Sequence, residues 1–301
     1  MYYFLQQTLN GLHSGALYAL LAFGYTLTYG VFKQTNLAYG ALFAFAGQTL
    51  ILIAVFGWHV LWLTLPATIA LGIAGAFFYA ALIGHVLSRS VFMPLSARSP
   101  NTIVAATLGV ALVLMELGRV AADTRDLWLP PMLSQPFVFA DSGSFRVTLT
   151  SIQLINCAIV VVVIVLASAY LARASFGRNW RAVCDDASAA AILGVDVRRV
   201  FHFAVIGGSM AAALSGSMAA LYYGNINFGT GLVFGLKILF LTAVGGYDSP
   251  LKSALGAGAF GVAEALWAGY FAIEWRDGWM FAFLVALLVL RSETGQKHTP
   301  V

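Results

Sequence analysis

Apolar runs of about twenty residues recur along nearly the whole chain and restrict it to one class of fold. Only 9 % of the 301 residues are charged and 60 % are hydrophobic, whereas soluble globular domains carry roughly 25 % charged residues. About twenty apolar residues in a helix cross the hydrocarbon core of a bilayer. The sequence therefore predicts an all-α polytopic integral membrane protein and excludes a soluble enzyme, a secreted disulfide module and a disordered chain.

The number of apolar runs predicts eight to nine transmembrane helices in a single domain that covers residues 1–301. Two of the runs, 233–246 and 278–290, are short for a span, and 37–56 is compatible with a re-entrant segment. The nine runs are 9–31, 37–56, 60–87, 101–121, 151–172, 200–222, 233–246, 251–271 and 278–290.

Lysine and arginine in the loops predict the orientation, because the cytoplasmic loops of membrane proteins are enriched in both residues. With 173–199 assigned to the cytoplasm, the N-terminus lies outside and the C-terminus inside. The net charge of +4 then reflects orientation rather than binding to nucleic acid. The inside set is Lys33, Arg89, Arg98, Arg173, Arg178, Arg181, Arg198, Arg199, Lys252, Arg291 and Lys297; the outside set is Arg119, Arg125, Arg146 and Arg276.

Two connecting segments are long enough to have a role of their own. Residues 179–193 are rich in helix-forming residues, Gly194 favours the end of a helix, and Asp196 can cap the next one. This pattern predicts a short helix on the cytoplasmic face, and a solvated connecting loop is the alternative. Residues 122–150 contain three prolines and are too short for a folded domain, which predicts an external cap or docking loop.

Three charged residues lie inside the predicted spans, where ionisable groups usually face protein or water. Glu116 can pair with Arg119 three residues further along the same helix. Lys237 and Glu264 lie in successive runs and can pair with each other. The three charges form either a gate and part of the substrate path or, as the structural alternative, pairs that fix the register of the helices.

Polar and aromatic residues at membrane depth are the candidates for a translocation path. The alternative is that these tyrosines mark the membrane interface, where tyrosine is enriched. The candidates for the path are Tyr18, Tyr25, Asn36, Tyr39 and Tyr222, with Gln48, Asn225 and Asn227 as further members.

No catalytic motif, metal motif or cofactor motif is present in the sequence. The chain lacks the glycine-rich phosphate-binding loop with its Lys-Ser/Thr end and the His-Glu-x-x-His zinc motif. Its two cysteines support neither a disulfide framework nor a zinc site. We therefore expect no catalytic residues, no metal and no cofactor in this chain, and any ATP hydrolysis must occur on another subunit.

The segment after Phe176 contains Ser188-Ala-Ala-Ala-Ile-Leu-Gly194, which resembles a docking loop of bacterial ABC importer permeases. Ser188–Gly194 is similar to the Glu-Ala-Ala-x-x-x-Gly loop of these proteins, with Ser188 where glutamate is usual. The run from Phe176-Gly-Arg to Gly194-Val-Asp-Val resembles the form found in the branched-chain amino acid permease family. In that family this loop forms a coupling helix that contacts the ATPase, and Asp185 and Asp186 could supply the missing charge.

The resemblance to this family extends along nearly the whole chain. Asn36-Leu-Ala-Tyr39-Gly40 is similar to the family segment Asn-Phe-Ala-His-Gly, with tyrosine in place of histidine. Further similar segments are Gln6–Leu12, Gly15–Leu20, Gly24–Gly30, Ala219–Gly224, Gly235–Lys237 and Ala243–Pro250. The resemblance implies that 176–197 is the cytoplasmic coupling loop, with ATPase-coupling residues Arg178, Arg181, Asp185, Asp186, Ser188, Ala189, Ala190 and Gly194.

The resemblance also implies a function and a set of partners. The expected function is that of a permease subunit in an ATP-driven importer for branched-chain or hydrophobic amino acids, or for related amides such as urea. The expected partners are a second permease, two cytoplasmic ATPases that bind ATP and an external substrate-binding protein, assembled in the inner membrane of a bacterium. Replacing Gly194 by a β-branched residue, or Arg181 by Glu, is expected to uncouple transport from ATP hydrolysis.

Two other classes of function remain as alternatives at this stage. A stand-alone secondary transporter or channel for a small polar solute would use the charges within the spans and would work without an ATPase. An integral membrane enzyme would need a cluster of catalytic groups at one depth, and the scattered histidines argue against such a cluster.

Overall fold

Long helices occupy all nine apolar runs in the computed structural model, which describes residues 2–95, 99–141, 145–227 and 229–295. Local signals explain several helix starts: proline lies in the first turn of three of them, where its missing N–H breaks no hydrogen bond. The long helices are α1 Tyr2–Phe32, α2 Ala38–His59, α3 Leu65–Val86, α5 Pro100–Ala121, α6 Ser151–Arg173, α9 Val197–Tyr223, α10 Thr230–Gly245, α11 Pro250–Tyr270 and α12 Arg276–Gly295.

Shorter elements connect these helices. A π-helical segment, Leu87–Phe92, continues α3 into the short helix α4, Met93–Leu95. The strands β1 (Pro136–Asp141) and β2 (Arg146–Thr150) form an antiparallel hairpin between α5 and α6. Two short helices, α7 (Ser175–Asp185) and α8 (Ala187–Ile192), lie between α6 and α9, and a 3₁₀ turn, Ile273–Trp275, precedes α12.

Six helices among the described residues are long and apolar enough to cross a membrane: α1, α2, α3 with its extension to Leu95, α5, α6 and α9. The helices α10 and α11 pass the same test only as a pair, bent by 113°, which gives up to seven spans. The chain is therefore an all-α multi-pass membrane protein in its main architecture. The predicted eight or nine spans are not confirmed, because among the described residues α11 and α12 do not pass this test by themselves and α10, with 16 residues, extends only about 24 Å.

The core of the bundle lies where α1, α2 and α9 pack together. Leu20, Leu21 and Tyr25 of α1 and Leu50 of α2 are almost fully buried there. Glycines let the backbones come close: a methyl group added at Gly15 would collide with the backbone of Gly258 in α11, and one at Gly216 in α9 would collide with Phe43 in α2.

The predicted external segment contains the β-hairpin, which the sequence analysis did not predict. Val147 and Leu149 are buried and alternate with more exposed residues, as expected for a strand with one packed face. The Gln6 side chain anchors the hairpin to α1: its amide nitrogen donates to the Thr148 carbonyl (2.9 Å) and its oxygen accepts from the Thr148 N–H (2.8 Å).

The turn residues Ser142 and Gly143 lie outside the described residues, as do Arg98 and Lys297 from the orientation count.

Candidate functional site

A cavity of about 670 Å³ lies between α1, α10 and α11, towards the end of the bundle that carries the β-hairpin. Its outer edge includes Trp128, from the segment before the hairpin, together with Asn225 and Asn227, which follow α9. Pockets of this volume hold small molecules in other proteins. Much of the wall is apolar, from Phe43, Ala219, Ile226, Val233, Phe234 and Ala265.

Three charged side chains form one group on the wall of this cavity. Lys237 Nζ lies 2.6 Å from Glu264 Oε1, and both side chains are more than nine-tenths buried. Arg276 Nε lies 3.7 Å from the same oxygen, and its side chain is 40 % exposed. The sharp bend between α10 and α11 brings Lys237 and Glu264 together, although they are 27 positions apart. The ion pair considered in the sequence analysis is therefore formed, and its role remains a prediction.

Two further features define the surroundings of this carboxylate. Tyr18 of α1 lies beside Glu264, and Lys237 Nζ lies over the Tyr18 ring, 4.9 Å from its centre. Such placement of an ammonium group over an aromatic face is favourable. The second oxygen of Glu264, Oε2, is buried and has no hydrogen-bond partner among the described residues. Buried polar atoms usually have one, so this oxygen retains the capacity to accept a hydrogen bond.

The structure does not bring the five main path candidates together. Tyr18 lines the cavity. Tyr25, Asn36 and Tyr39 lie instead in the buried core, where the Asn36 N–H donates to the Tyr25 hydroxyl (3.3 Å) and the Tyr39 hydroxyl donates to the Gly208 carbonyl (3.2 Å). These hydrogen bonds within the chain satisfy the polar groups of Tyr25, Asn36 and Tyr39, whose partners could not be predicted from the sequence.

The other candidates do not form a single group. The Tyr222 hydroxyl accepts a hydrogen bond from the Gln153 amide (3.1 Å), and Gln48 lies beside Gly118 of α5. Asn225 and Asn227 join Tyr18 at the cavity. Glu116 is exposed and pairs with Arg119 on the same helix, so it does not belong to the charged group.

Arg276 is a member of the site that was not predicted from the sequence. It lies at the boundary of an apolar run, where it was interpreted only as an external charge. Its contribution depends on the end of α11 and the start of α12 lying side by side, a contact between elements that no local pattern records. The available signal was a basic residue directly after Trp275, at the start of a run that follows Glu264.

At the opposite end of α1, α7 and α8 form the candidate coupling segment. Trp180 is buried, and its indole N–H donates to the Leu27 carbonyl of α1 (3.0 Å). Arg178 and Arg181 donate to the carbonyls of Arg173 (3.0 Å) and Leu171 (2.7 Å), at the end of α6. Both arginines thus satisfy carbonyls that the end of a helix leaves without partners.

Asp186 divides the predicted helix 179–193 into two. Its Oδ1 accepts hydrogen bonds from the backbone N–H groups of Ser188 (2.8 Å) and Ala189 (3.0 Å) and from the Ser188 hydroxyl (2.7 Å), which starts α8. These bonds hold the pKa of Asp186 below its usual value. Gly194 has a φ of +86° directly after α8, and Asp196 Oδ1 accepts from the Arg199 N–H, so both predicted end signals are confirmed.

The far end of α8 exposes two large apolar side chains to the surroundings. Ile192 and Leu193 are 87 % and 82 % exposed. Asp185, Ser188 and Ala189 are also exposed, whereas Ala190 packs inward against the protein itself. Seven of the eight predicted coupling residues therefore lie on the surface. Next to them, burial raises the pKa of the Cys184 thiol to about 12.

The turn after α10 lies close to this segment. Tyr247 stacks on Tyr29 of α1, with ring centres 4.2 Å apart. Both residues line a cavity of about 470 Å³ that also includes Lys33, Asp185 and Asp248. The chain turns tightly at Gly245-Gly246, where Gly246 has a φ of +90°, on the same end of the bundle as α7.

Comparison with known proteins decides the family. The model of the family described as branched-chain amino acid transport system / permease component matches residues 7–290. The chain belongs to this permease family. It is a transport subunit rather than an enzyme, and no group of three or more potential metal ligands occurs among the residues that the structure describes.

The permease is similar to relatives over nearly its whole length. It is 27 % identical to the high-affinity branched-chain amino acid transport system permease protein LivH of Salmonella typhimurium, over 96 % of this chain and 94 % of the relative. It is also 27 % identical to the corresponding permease protein BraD of Pseudomonas aeruginosa, over 97 % and 95 %. A probable LivH of Methanocaldococcus jannaschii is 27 % identical over 91 % and 84 %. No solved structure matches the chain.

Proposed function

We propose that this permease is the translocation subunit of an ATP-driven ABC importer for branched-chain and other hydrophobic amino acids. The match to the permease family over residues 7–290 carries the proposal, and the names of the relatives supply the substrate class. Related amides such as urea are the alternative substrates. The cavity supports a small substrate with an apolar part, because charged groups occupy one region of its wall and apolar side chains much of the rest.

ATP hydrolysis belongs, in this proposal, to a separate subunit that contacts α7 and α8. The chain has no phosphate-binding loop of its own. The exposed pair Ile192 and Leu193 at one end of α8 and the exposed charged residues Asp185 and Asp186 before its other end offer apolar and polar contacts on one surface segment, the usual composition of a protein interface. The complete importer would contain a second permease, two ATPases and an external substrate-binding protein.

The proposed orientation places the N-terminus outside and the C-terminus in the cytoplasm of a bacterial inner-membrane protein. This orientation requires an odd number of crossings. Nine crossings, with α10, α11 and α12 each crossing, satisfy it, and so do seven. It places the cavity towards the external face, where a binding protein delivers substrate, and α8 on the cytoplasmic face beside the ATPases.

Uptake by the reconstituted importer tests the proposal. The two permeases and two ATPases in liposomes, with the binding protein outside and ATP inside, are expected to accumulate L-leucine. Uptake is expected to stop when ATP or the ATPase subunits are omitted. Uptake of urea but not of L-leucine would show that the substrates are amides rather than amino acids.

A stand-alone secondary transporter is the second candidate, favoured by the buried Lys237–Glu264 pair, since such pairs also occur in ion-coupled carriers. In the same assay it predicts transport by this chain alone, driven by an ion gradient. That result would overturn the importer proposal.

A further inference from the structure

The charged group on the cavity wall offers acidic and basic groups side by side. Glu264 is 6 % exposed, and its Oε1 atom accepts the contacts from Lys237 and Arg276. Its other oxygen, Oε2, is buried and has no hydrogen-bond partner among the described residues, and Glu264 is one of the residues that line the cavity. The structure thus presents a carboxylate oxygen that can accept a hydrogen bond, with two basic groups close by.

An α-amino acid carries the complementary pair of charges on a single carbon atom. Its ammonium group donates hydrogen bonds and its carboxylate accepts them, and both are stronger when the partner is charged. A guanidinium group suits a carboxylate particularly well because it donates through two parallel N–H groups. Simple amines or carboxylic acids would use only half of these partners.

We propose that this permease itself binds the zwitterionic head of its substrate in this cavity, an inference that rests on the proposed amino-acid transport. Glu264 Oε2 accepts from the substrate ammonium group, and Arg276, with Lys237 behind it, binds the substrate carboxylate. The aliphatic side chain of the substrate packs against the apolar wall at Val233 and Phe234.

The geometry of the cavity fits this assignment. A volume of about 670 Å³ holds a single amino acid with room for water. Arg276, 40 % exposed, lies at the accessible side of the group, whereas Lys237 and Glu264 are buried behind it. The substrate carboxylate therefore meets Arg276 first and the buried pair afterwards. This site would let the permease distinguish amino acids from other small molecules independently of a delivering protein.

Ligand-detected NMR on the membrane complex tests this inference directly. Saturation transfer to L-leucine is measured with the two permeases and two ATPases in nanodiscs, without the binding protein, because that protein would bind leucine itself. L-Leucinamide, which lacks the carboxylate, and 4-methylpentanoate, which lacks the ammonium group, are the two comparison ligands. The wild-type complex is expected to bind L-leucine more tightly than either.

The variants separate recognition of the substrate from a structural role. R276Q is expected to raise the Kd for L-leucine about tenfold or more, through the loss of charged hydrogen bonds, and to leave the Kd for L-leucinamide unchanged. R276K is expected to restore part of the affinity. E264Q is expected to weaken the binding of L-leucine but not the binding of 4-methylpentanoate. R146Q is the matched control, because Arg146 pairs with Asp141 on the hairpin, outside the cavity, and it is expected to bind as the wild type does.

Three results would overturn the inference. The first is a wild-type complex that does not detectably bind leucine. The second is an R276Q complex that binds leucine with wild-type affinity. The third is an R276Q complex whose affinity for all three ligands falls equally, which would indicate a structural role alone. If E264Q does not fold, R276Q decides the matter, since Arg276 is partly exposed. Uptake by the wild-type importer with its binding protein is measured in parallel: uptake without cavity binding refutes this site and leaves the proposed function intact, whereas absence of leucine uptake refutes the function.

Discussion

Lys237 and Glu264 show how a charged pair can be kept inside an apolar bundle. Removing one partner of a buried pair leaves an uncompensated charge, which costs roughly 3–5 kcal/mol. The two partners are not equivalent here, because Arg276 remains 3.7 Å from Glu264 when Lys237 is lost. Loss of Glu264, in contrast, leaves Lys237 buried among Tyr18 and Phe234 without a carboxylate.

We therefore expect E264L to lower the Tm of the purified permease more than K237M does. The double variant K237M/E264L is expected to unfold at a higher temperature than E264L, because no buried charge is then left without its partner. The order of these unfolding temperatures is measured by heating each protein in detergent and monitoring the loss of its monodisperse peak. An E264L protein as stable as the wild type would show that the pair contributes nothing to stability.

At this scale the sequence predicted which residues are unusual but not always what they contact. Lys237 and Glu264 were evident because charge is rare in apolar runs. Tyr25 and Tyr39 looked equally polar, yet their hydroxyl groups meet Asn36 and Gly208 within the chain. Periodicity gives the depth of a residue in a helix and leaves its neighbours on other helices undetermined.

Among the elements, the segment of α7 and α8 is the one whose helix ends are most clearly indicated by the local sequence. Gly194 and Asp196 were both predicted to mark helix ends and both do so. The division at Asp186 was not predicted, because the surrounding alanines favour an unbroken helix and the capping side chain outweighs them. The β-hairpin was missed because the three apolar residues Phe137–Phe139 obscure the alternation in β1.

Gly194 provides the prediction at the scale of the element. Its φ of +86° costs about 1–2 kcal/mol for most other residues, and an added Cβ would meet no atom within 4 Å. Any effect of G194V therefore arises from the backbone rather than from a collision. We expect G194V to insert normally and to lower substrate-stimulated ATPase activity of the complete importer by about tenfold, the factor given by 1.4 kcal/mol.

G194N is the control, since asparagine adopts this left-handed conformation more easily than valine. It is expected to retain most of the stimulation. If both variants stimulate ATP hydrolysis as the wild type does, the position of the turn after α8 is irrelevant to coupling.

The whole molecule places the hairpin and α8 at opposite ends of the bundle, so its orientation can be tested with two cysteines. In a background with Cys157 and Cys184 replaced by serine, R125C lies near the hairpin end and S188C on α8, and both native side chains are exposed. We expect an impermeant maleimide to label R125C from outside intact cells, and S188C only after permeabilisation. The opposite pattern would invert the proposed topology.

Packing of the whole bundle was the least predictable part of the structure. The sequence contains many glycines within the predicted spans, and they look alike. Gly216 lies against the backbone of α2, whereas Gly109 has no atom of another segment within 4 Å of the position of a Cβ. Which glycines permit close contact depends on how the helices cross, and that arrangement follows from all the contacts together.

Hydrogen bonds near both ends of α1 connect this helix to segments on opposite ends of the bundle. Gln6 is bonded to the hairpin and Leu27 to Trp180 of α7, and the intervening residues form an unbroken helix about 32 Å long. A force that moves the hairpin along the axis of α1 must therefore either displace α7 or break one of these bonds. The helix α1 thus connects the two ends of the bundle mechanically, without a break or hinge between them.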